Sequence, residues 1–133
     1  MCLWLKTSAT TNRWIYAIGD GSGTRRGLWT TTNGSKPHFA YSGSGAFTGT
    51  ATINDNKWHH IAFTVDGATS KCFVDGVECG GSTSTKTDVV GSNKVEIVFN
   101  GSDIISDFRL YATTLDADAI RQLYEVSTKV DNK

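Results

Sequence analysis

Short runs of alternating or apolar residues, rich in Thr, Val, Ile and aromatics, recur along this chain, the pattern of strands. The clearest runs are Trp58-His59-His60-Ile61-Ala62-Phe63-Thr64-Val65 and Lys71-Cys72-Phe73-Val74. The pattern predicts strands near 2–7, 12–19, 27–32, 36–42, 46–53, 57–66, 70–75, 77–80, 94–99 and 103–112. Five Asx-Gly pairs punctuate it: Asp20-Gly21, Asn33-Gly34, Asp66-Gly67, Asp75-Gly76 and Asn100-Gly101. Such pairs supply the positive φ of tight hairpin turns. The sharpest hairpin turns at Asp75-Gly76, placing Val74 opposite Val77, Phe73 opposite Glu78 and Cys72 opposite Cys79. Residues 21–26, 42–45 and 80–93 read as loops, the first carrying Arg25 and Arg26. One segment, 117–125, has helical spacing. Asp116 is a suitable N-cap, Asp118 favours the helix dipole, and Leu115 with Ile120 makes a hydrophobic staple. Ile120, Leu123 and Tyr124 share the face that would dock; the polar tail 127–133 is expected to fray.

Composition sharpens the class. The 133 residues include 18 Thr, 12 Ser and 14 Gly but one Pro. Many short strands and glycine turns without a long internal repeat point to an antiparallel sandwich or barrel. Thirteen basic residues balance thirteen acidic ones, so nothing draws the chain toward nucleic acid or an anionic membrane. No apolar run approaches the ~20 residues of a membrane-spanning helix, and residues 1–6 do not read as a signal peptide. A single soluble domain is expected.

Four segments resemble a known family. Lys57-Trp58-His59-His60-Ile61-Ala62-Phe63-Thr64-Val65-Asp66-Gly67 and the following Lys71-Cys72-Phe73-Val74-Asp75-Gly76 are similar to the central strand and hairpin of laminin-G-like, concanavalin-A-like jelly-roll domains. Leu3-Trp4-Leu5-Lys6 resembles the early strand of that family. Ile105-Ser106-Asp107-Phe108-Arg109-Leu110-Tyr111, followed by Thr114-Leu115-Asp116-Ala117-Asp118-Ala119-Ile120, looks like its closing strand and helix. The resemblance implies an antiparallel β-sandwich with one short C-terminal helix. The domain would span 1–126, with Trp58, Cys72 and Val74 in the filling between its layers. It also implies a module of a longer virion or cell-surface protein, because similar ends occur in phage and bacterial surface proteins. Family members usually carry an additional strand before the early one, so the expectation is either a domain cut from a longer protein or a sheet edge left unpaired.

Catalysis is not expected. Glucanases of this architecture need two carboxylates set for acid and nucleophile or base, roughly 5–10 Å apart. The chain has three Glu, at 78, 96 and 125, and none lies in a Glu-x-Asp-x-Glu run. His59 and His60 are adjacent in a strand, face opposite ways and cannot share a metal ion; His60 reads as a packed histidine. No cofactor is assigned. Calcium, which many relatives bind, would draw on Asp20, Asp66, Asp88 or Asp103. Cys72 and Cys79 share a face of the hairpin. Buried free thiols are the reading preferred there, with a cross-strand disulfide as the alternative.

The aromatic residues suggest where a ligand would sit. Trp4 and Trp58 are assigned to packing. If Ile15 and Leu28 point to the core, then Trp14, Tyr16 and Trp29 occupy the outer sheet face, with Arg25, His38 and Tyr41 nearby as polar donors. Asn33 and Asn100 fit glycosylation sequons but are better read as turns. The expected role is non-catalytic recognition of a glycan or glycan-bearing surface, outside the cell or on a virion. The alternative is a structural domain whose aromatics are buried against other virion or surface-protein subunits. A glycoside hydrolase is disfavoured.

Overall fold

The period-two segments pair into two antiparallel sheets. The computed structural model describes residues 1–19, 25–31, 35–41, 47–83, 94–97 and 103–131, with backbone alone at 18–19, 25–31, 40–41, 94–96 and 130–131. The described strands are β1 (Cys2–Lys6), β2 (Arg13–Gly19), β3 (Arg25–Thr31), β4 (Lys36–Tyr41), β5 (Phe47–Thr48), β6 (Trp58–Asp66), β7 (Thr69–Val74), β8 (Val77–Ser82), β9 (Lys94–Ile97) and β10 (Ile104–Arg109). One helix follows, α1 (Ala117–Asp131). The first sheet runs β10-β1-β6-β7-β8 and the second β5-β4-β3-β2-β9. The jelly-roll sandwich expected from the sequence is the fold observed.

Alternation decides which side chains fill the gap between the sheets. Leu3, Leu5, Ile61 and Phe63 face it from the first sheet, and Ile15, Tyr16 and Phe39 from the second. Phe39 and Phe63 stack across it, ring centres 4.2 Å apart and planes within 12°. Cys72 and Val74 lie in this core as expected.

The first sheet is buried on both sides, which explains why four of the five residues of β1 are buried. Its outer side carries Cys2, Ala62 and Phe73, which α1 covers with Ile120 and, at the margin, Leu123. Trp4 lies on this side against His60 and Tyr124, with ring centres 5.4 Å and 5.8 Å away. Trp58 is a correction. It is two residues from His60 along β6, on the helix side, and only half-buried, so it does not fill the inter-sheet core.

The helix starts where its cap predicts: Asp116 Oδ1 accepts from the Ala119 amide at 2.8 Å. It ends six residues later than expected and takes in most of the tail. The polar residues there satisfy themselves within the helix. Ser127 Oγ donates to the Leu123 carbonyl and Thr128 Oγ1 to that of Tyr124, and Ser127 is buried.

Register shifts interrupt three of the described strand pairs, and two of them change what the sequence suggested. Between β2 and β3, Trp14 pairs with Trp29 but Tyr16 pairs with Leu28, leaving Ile15 extra. Between β7 and β8, Cys72 pairs with Gly80 and Phe73 with Glu78, leaving Cys79 extra. A bulge puts two consecutive side chains out of simple alternation. The predicted strand 46–53 also contracts to Phe47–Thr48, because the chain then crosses to the other sheet. Gly49 N donates to Pro37 O, and Thr50 N to Cys79 O at 2.9 Å. Arg25 and Arg26 belong to β3 rather than to a loop. Asn33, Asn100 and the expected loop 42–45 lie outside the described residues, as does 84–93 of the expected loop 80–93.

Candidate functional site

The second sheet carries the candidate site. Helix α1 packs on the first sheet, and among the described residues no helix covers the outer side of the second. Phe39 is fully buried and Pro37 is buried, so His38 between them faces outward. Ile15 is likewise inward and the half-buried Trp14 before it outward.

Backbone register gathers these outward positions. Trp14 pairs with Trp29, Trp29 with His38, and His38 with Thr48. Four strands thus contribute one row, Trp14–Trp29–His38–Thr48. Directly paired positions sit roughly 5 Å apart, so positions 14, 29 and 38 are neighbours across three strands. His38 Nδ1 and Thr48 Oγ1 are hydrogen-bonded at 2.8 Å. Desolvation by burial lowers the His38 pKa, favouring a neutral imidazole. Lys36, two positions along β4, has its Nζ on Thr50 O at 2.6 Å and on Thr52 Oγ1 at 2.9 Å. Thr48 and Lys36 were missed in the sequence, although the Lys36-Pro37-His38 spacing already put the lysine on the histidine's side.

Three of the six expected site residues therefore share the row: Trp14, Trp29 and His38. Tyr16 does not belong to it. The extra residue at Ile15 turns Tyr16 inward, where it is 3% exposed and packs on Phe108 with ring centres 5.4 Å apart. Arg25 opens β3 opposite Gly19, four positions from Trp29 and roughly 13 Å along the strand. Tyr41 pairs with Arg26, three positions from His38, and is also outside the row.

The polar chemistry elsewhere is structural in arrangement. Asp75, at φ 53° in the hairpin turn, accepts from the His60 amide through Oδ1 and binds His59 Nδ1 through Oδ2, both at 2.8 Å. Asp55 Oδ1 takes the other His59 nitrogen at 3.0 Å. A ring flanked by two carboxylates favours the imidazolium. The hydrogen bond to Asp75 leads in raising the His59 pKa, burial opposes it, and Asp55 adds to it. His60, by contrast, is buried among rings, and desolvation pushes it down to about 4.

Asp103, one of the carboxylates considered for calcium, has a fully buried side chain paired with Arg13 at 3.2 Å, tying the two sheets together. Among the described residues no cluster of three His, Cys, Asp or Glu is placed to hold a metal ion. Asp66 is exposed at a hairpin end, and Asp20 and Asp88 are outside the described residues. A cavity of about 220 Å³ beside the helix, walled by Cys2, Phe63, Leu110, Tyr111, Leu115 and others, gathers no charged side chain.

Two sheets with these motifs in this order match a family. Residues 1–121 fit the laminin G model of the concanavalin A-like lectin/glucanases superfamily. The chain belongs to that family. Among curated proteins, this laminin-G-like chain is 25% identical over 149 aligned positions to adhesion G-protein coupled receptor V1 of Danio rerio. That match takes in 98% of the chain and 2% of the receptor. The chain thus spans a small part of that relative. Among solved structures it is similar to Trypanosoma rangeli sialidase, with a TM-score of 0.71 and 17% identity over 97% of this chain and 22% of the sialidase. It is also similar to a provisionally assigned carbohydrate binding protein of Bacteroides ovatus. The TM-score there is 0.65, with 16% identity over 91% of this chain and 39% of that one. At these identities the structural likenesses are of fold.

Proposed function

We propose that this laminin-G-like domain is a non-catalytic recognition module that binds glycan on the outer side of its second sheet. The single observation behind the reading is the row Trp14–Trp29–His38–Thr48, on the side that α1 does not roof. Indole faces suit the apolar faces of pyranose rings, and a neutral histidine, a threonine and the nearby Lys36 offer the few fixed polar groups that orient such a ligand. The carbohydrate binding assigned to the Bacteroides neighbour is in keeping with this. An extracellular or cell-surface setting is in keeping with the laminin G family and with the adhesion receptor relative. A virion as the parent assembly rests on the sequence resemblance alone.

A glycan array run with and without calcium, followed by titration calorimetry on hits, tests the reading. Binding that Trp14→Ala and Trp29→Ala each weaken at least tenfold, in folded protein, supports it. Absence of binding to any sugar at millimolar concentration overturns it. Turnover of a reporter glucan or sialoside would overturn the non-catalytic part.

A second reading has its own observation. Leu110, Tyr111 and Val126 are large apolar side chains exposed by 51%, 37% and 59% around the base of the helix. In that reading the domain is an assembly unit and this patch is covered by protein. Light scattering that finds a stable dilute monomer counts against it.

A further inference from the structure

Two cysteines meet in the bulged β7–β8 hairpin. As the extra residue, Cys79 leaves the place directly opposite Cys72, and the two sulfurs stand 3.0 Å apart. That is inside van der Waals contact and about 1 Å beyond a disulfide bond length. Both sulfurs lie over Gly49. A Cβ at 49 would meet Cys79 Sγ at 2.9 Å and Cys72 Sγ at 3.3 Å, so the missing side chain provides their space.

The two thiols are also inequivalent. Cys72 is fully buried in the inter-sheet core, whereas Cys79 is only partly buried on β8, at the end of its sheet. We propose that Cys72 and Cys79 are a redox pair in which Cys79 is the attacking sulfur and Cys72 the resolving one, closing a disulfide that staples β7 to β8. The oxidant is a low-molecular-weight disulfide. Cys79 thiolate attacks one of its sulfurs, forming a mixed disulfide and expelling a thiolate. Cys72 then gives up its proton to that thiolate and attacks Cys79 Sγ, expelling the second thiolate, which is protonated from water. Two protein thiols and one small disulfide become one protein disulfide and two small thiols.

Local electrostatics favour this order. The Cys72 hydrogen bond lowers the Cys79 pKa. Burial opposes that shift, and hydrogen bonds from the Ala51 and Thr50 backbone support it. The same Cys79 interaction, followed by burial, raises the Cys72 pKa.

The test uses the full chain, purified reduced and incubated with oxidised glutathione. It is then unfolded in the presence of an alkylating reagent and analysed by mass spectrometry. The expected result is a fall from three free thiols to one, with a linked peptide holding Cys72 and Cys79 and with Cys2 left free. Cys72→Ser should trap glutathione on Cys79. Brief alkylation of the folded, reduced chain should mark Cys79 at least tenfold faster than Cys72. Three surviving thiols, a mixed disulfide that persists in the unaltered chain, or a link through Cys2 would each overturn the proposal. Because the thiol count is made on the unaltered chain, it decides the matter even if the serine variant does not fold.

Discussion

Tyr16 of β2 and Phe108 of β10 meet in the gap between the two sheets, ring centres 5.4 Å apart and planes inclined by 60°. This contact makes Tyr16 a clamp between layers and removes it from the proposed recognition surface. Tyr16→Ala should destabilise the domain by about 3–5 kcal/mol, the range for deleting a core aromatic. Urea unfolding measures the loss, and sugar affinity of the fraction still folded should match that of the unaltered chain.

The adjacent histidines respond to pH in opposite senses. His60 has a folded pKa of about 4, below the unfolded value of 6.5, so the unfolded chain binds the extra proton between those limits. Stability linked to His60 is therefore full above pH 6.5 and lost as pH falls toward 4, by about 3 kcal/mol for 2.5 pH units. Asp75 and Asp107 oppose the shift, Arg109 adds to it, and burial outweighs them all. His59 is raised, so its contribution is full below pH 6.5 and fades as pH climbs through its folded value. Urea unfolding across a pH series should show both limbs. His60→Phe should flatten the acidic limb and His59→Gln the alkaline one.

Gly81 leaves no room for a side chain. A Cβ there would stand 2.6 Å from the Ser70 carbonyl oxygen, a backbone atom held in the β7–β8 ladder. Gly81→Ala should destabilise the domain by about 1–3 kcal/mol and loosen β8 before the other strands. Amide exchange at Ser70 and Ser82 checks the second part. Gly80→Ala, whose nearest contact would be Gly49 Cα at 3.3 Å, should be milder.

The helix should contribute through its buried face more than through its cap. Ile120 is 1% exposed and joins Cys2, Ala62 and Phe73 under the helix. Ile120→Ala should destabilise by about 2–5 kcal/mol. Asp116→Ala, which removes one exposed capping bond, should lower stability by about 1 kcal/mol. Thermal unfolding of the two variants orders them.

Strand positions, the turn at Asp75-Gly76, the helix start and the sandwich itself were legible because each is written in local spacing or turn chemistry. The bulges were not. Nothing in Arg13-Trp14-Ile15-Tyr16-Ala17 marks Ile15 as the extra residue, since its placement depends on how β3 aligns with β2. That one unread position moved Tyr16 from the surface to the core. At the β7–β8 hairpin the sequence did bring Cys72 and Cys79 to one face, and the unread bulge changed only the register in which they meet. Trp58 was assigned inside because it matches a core position of the family the chain resembles. Yet α1 gives the first sheet a second covered side, and the half-buried Trp58 points to that side along with His60. The outward placement of Trp14 and His38 needed only alternation within single strands. Arg25 and Tyr41 were grouped with them by proximity in sequence, which register does not respect.

Asp75 answers to three demands at once: a left-handed backbone, an anion beside the His59 ring, and an acceptor for the His60 amide. Asparagine would tolerate the backbone and lose the charge, glutamate would keep the charge and overshoot, and alanine would fail on all three. Mutational tolerance at this site should be among the narrowest in the domain, although it does not fill the core. A saturation library scored only for folding should therefore single out this turn as sharply as the buried leucines.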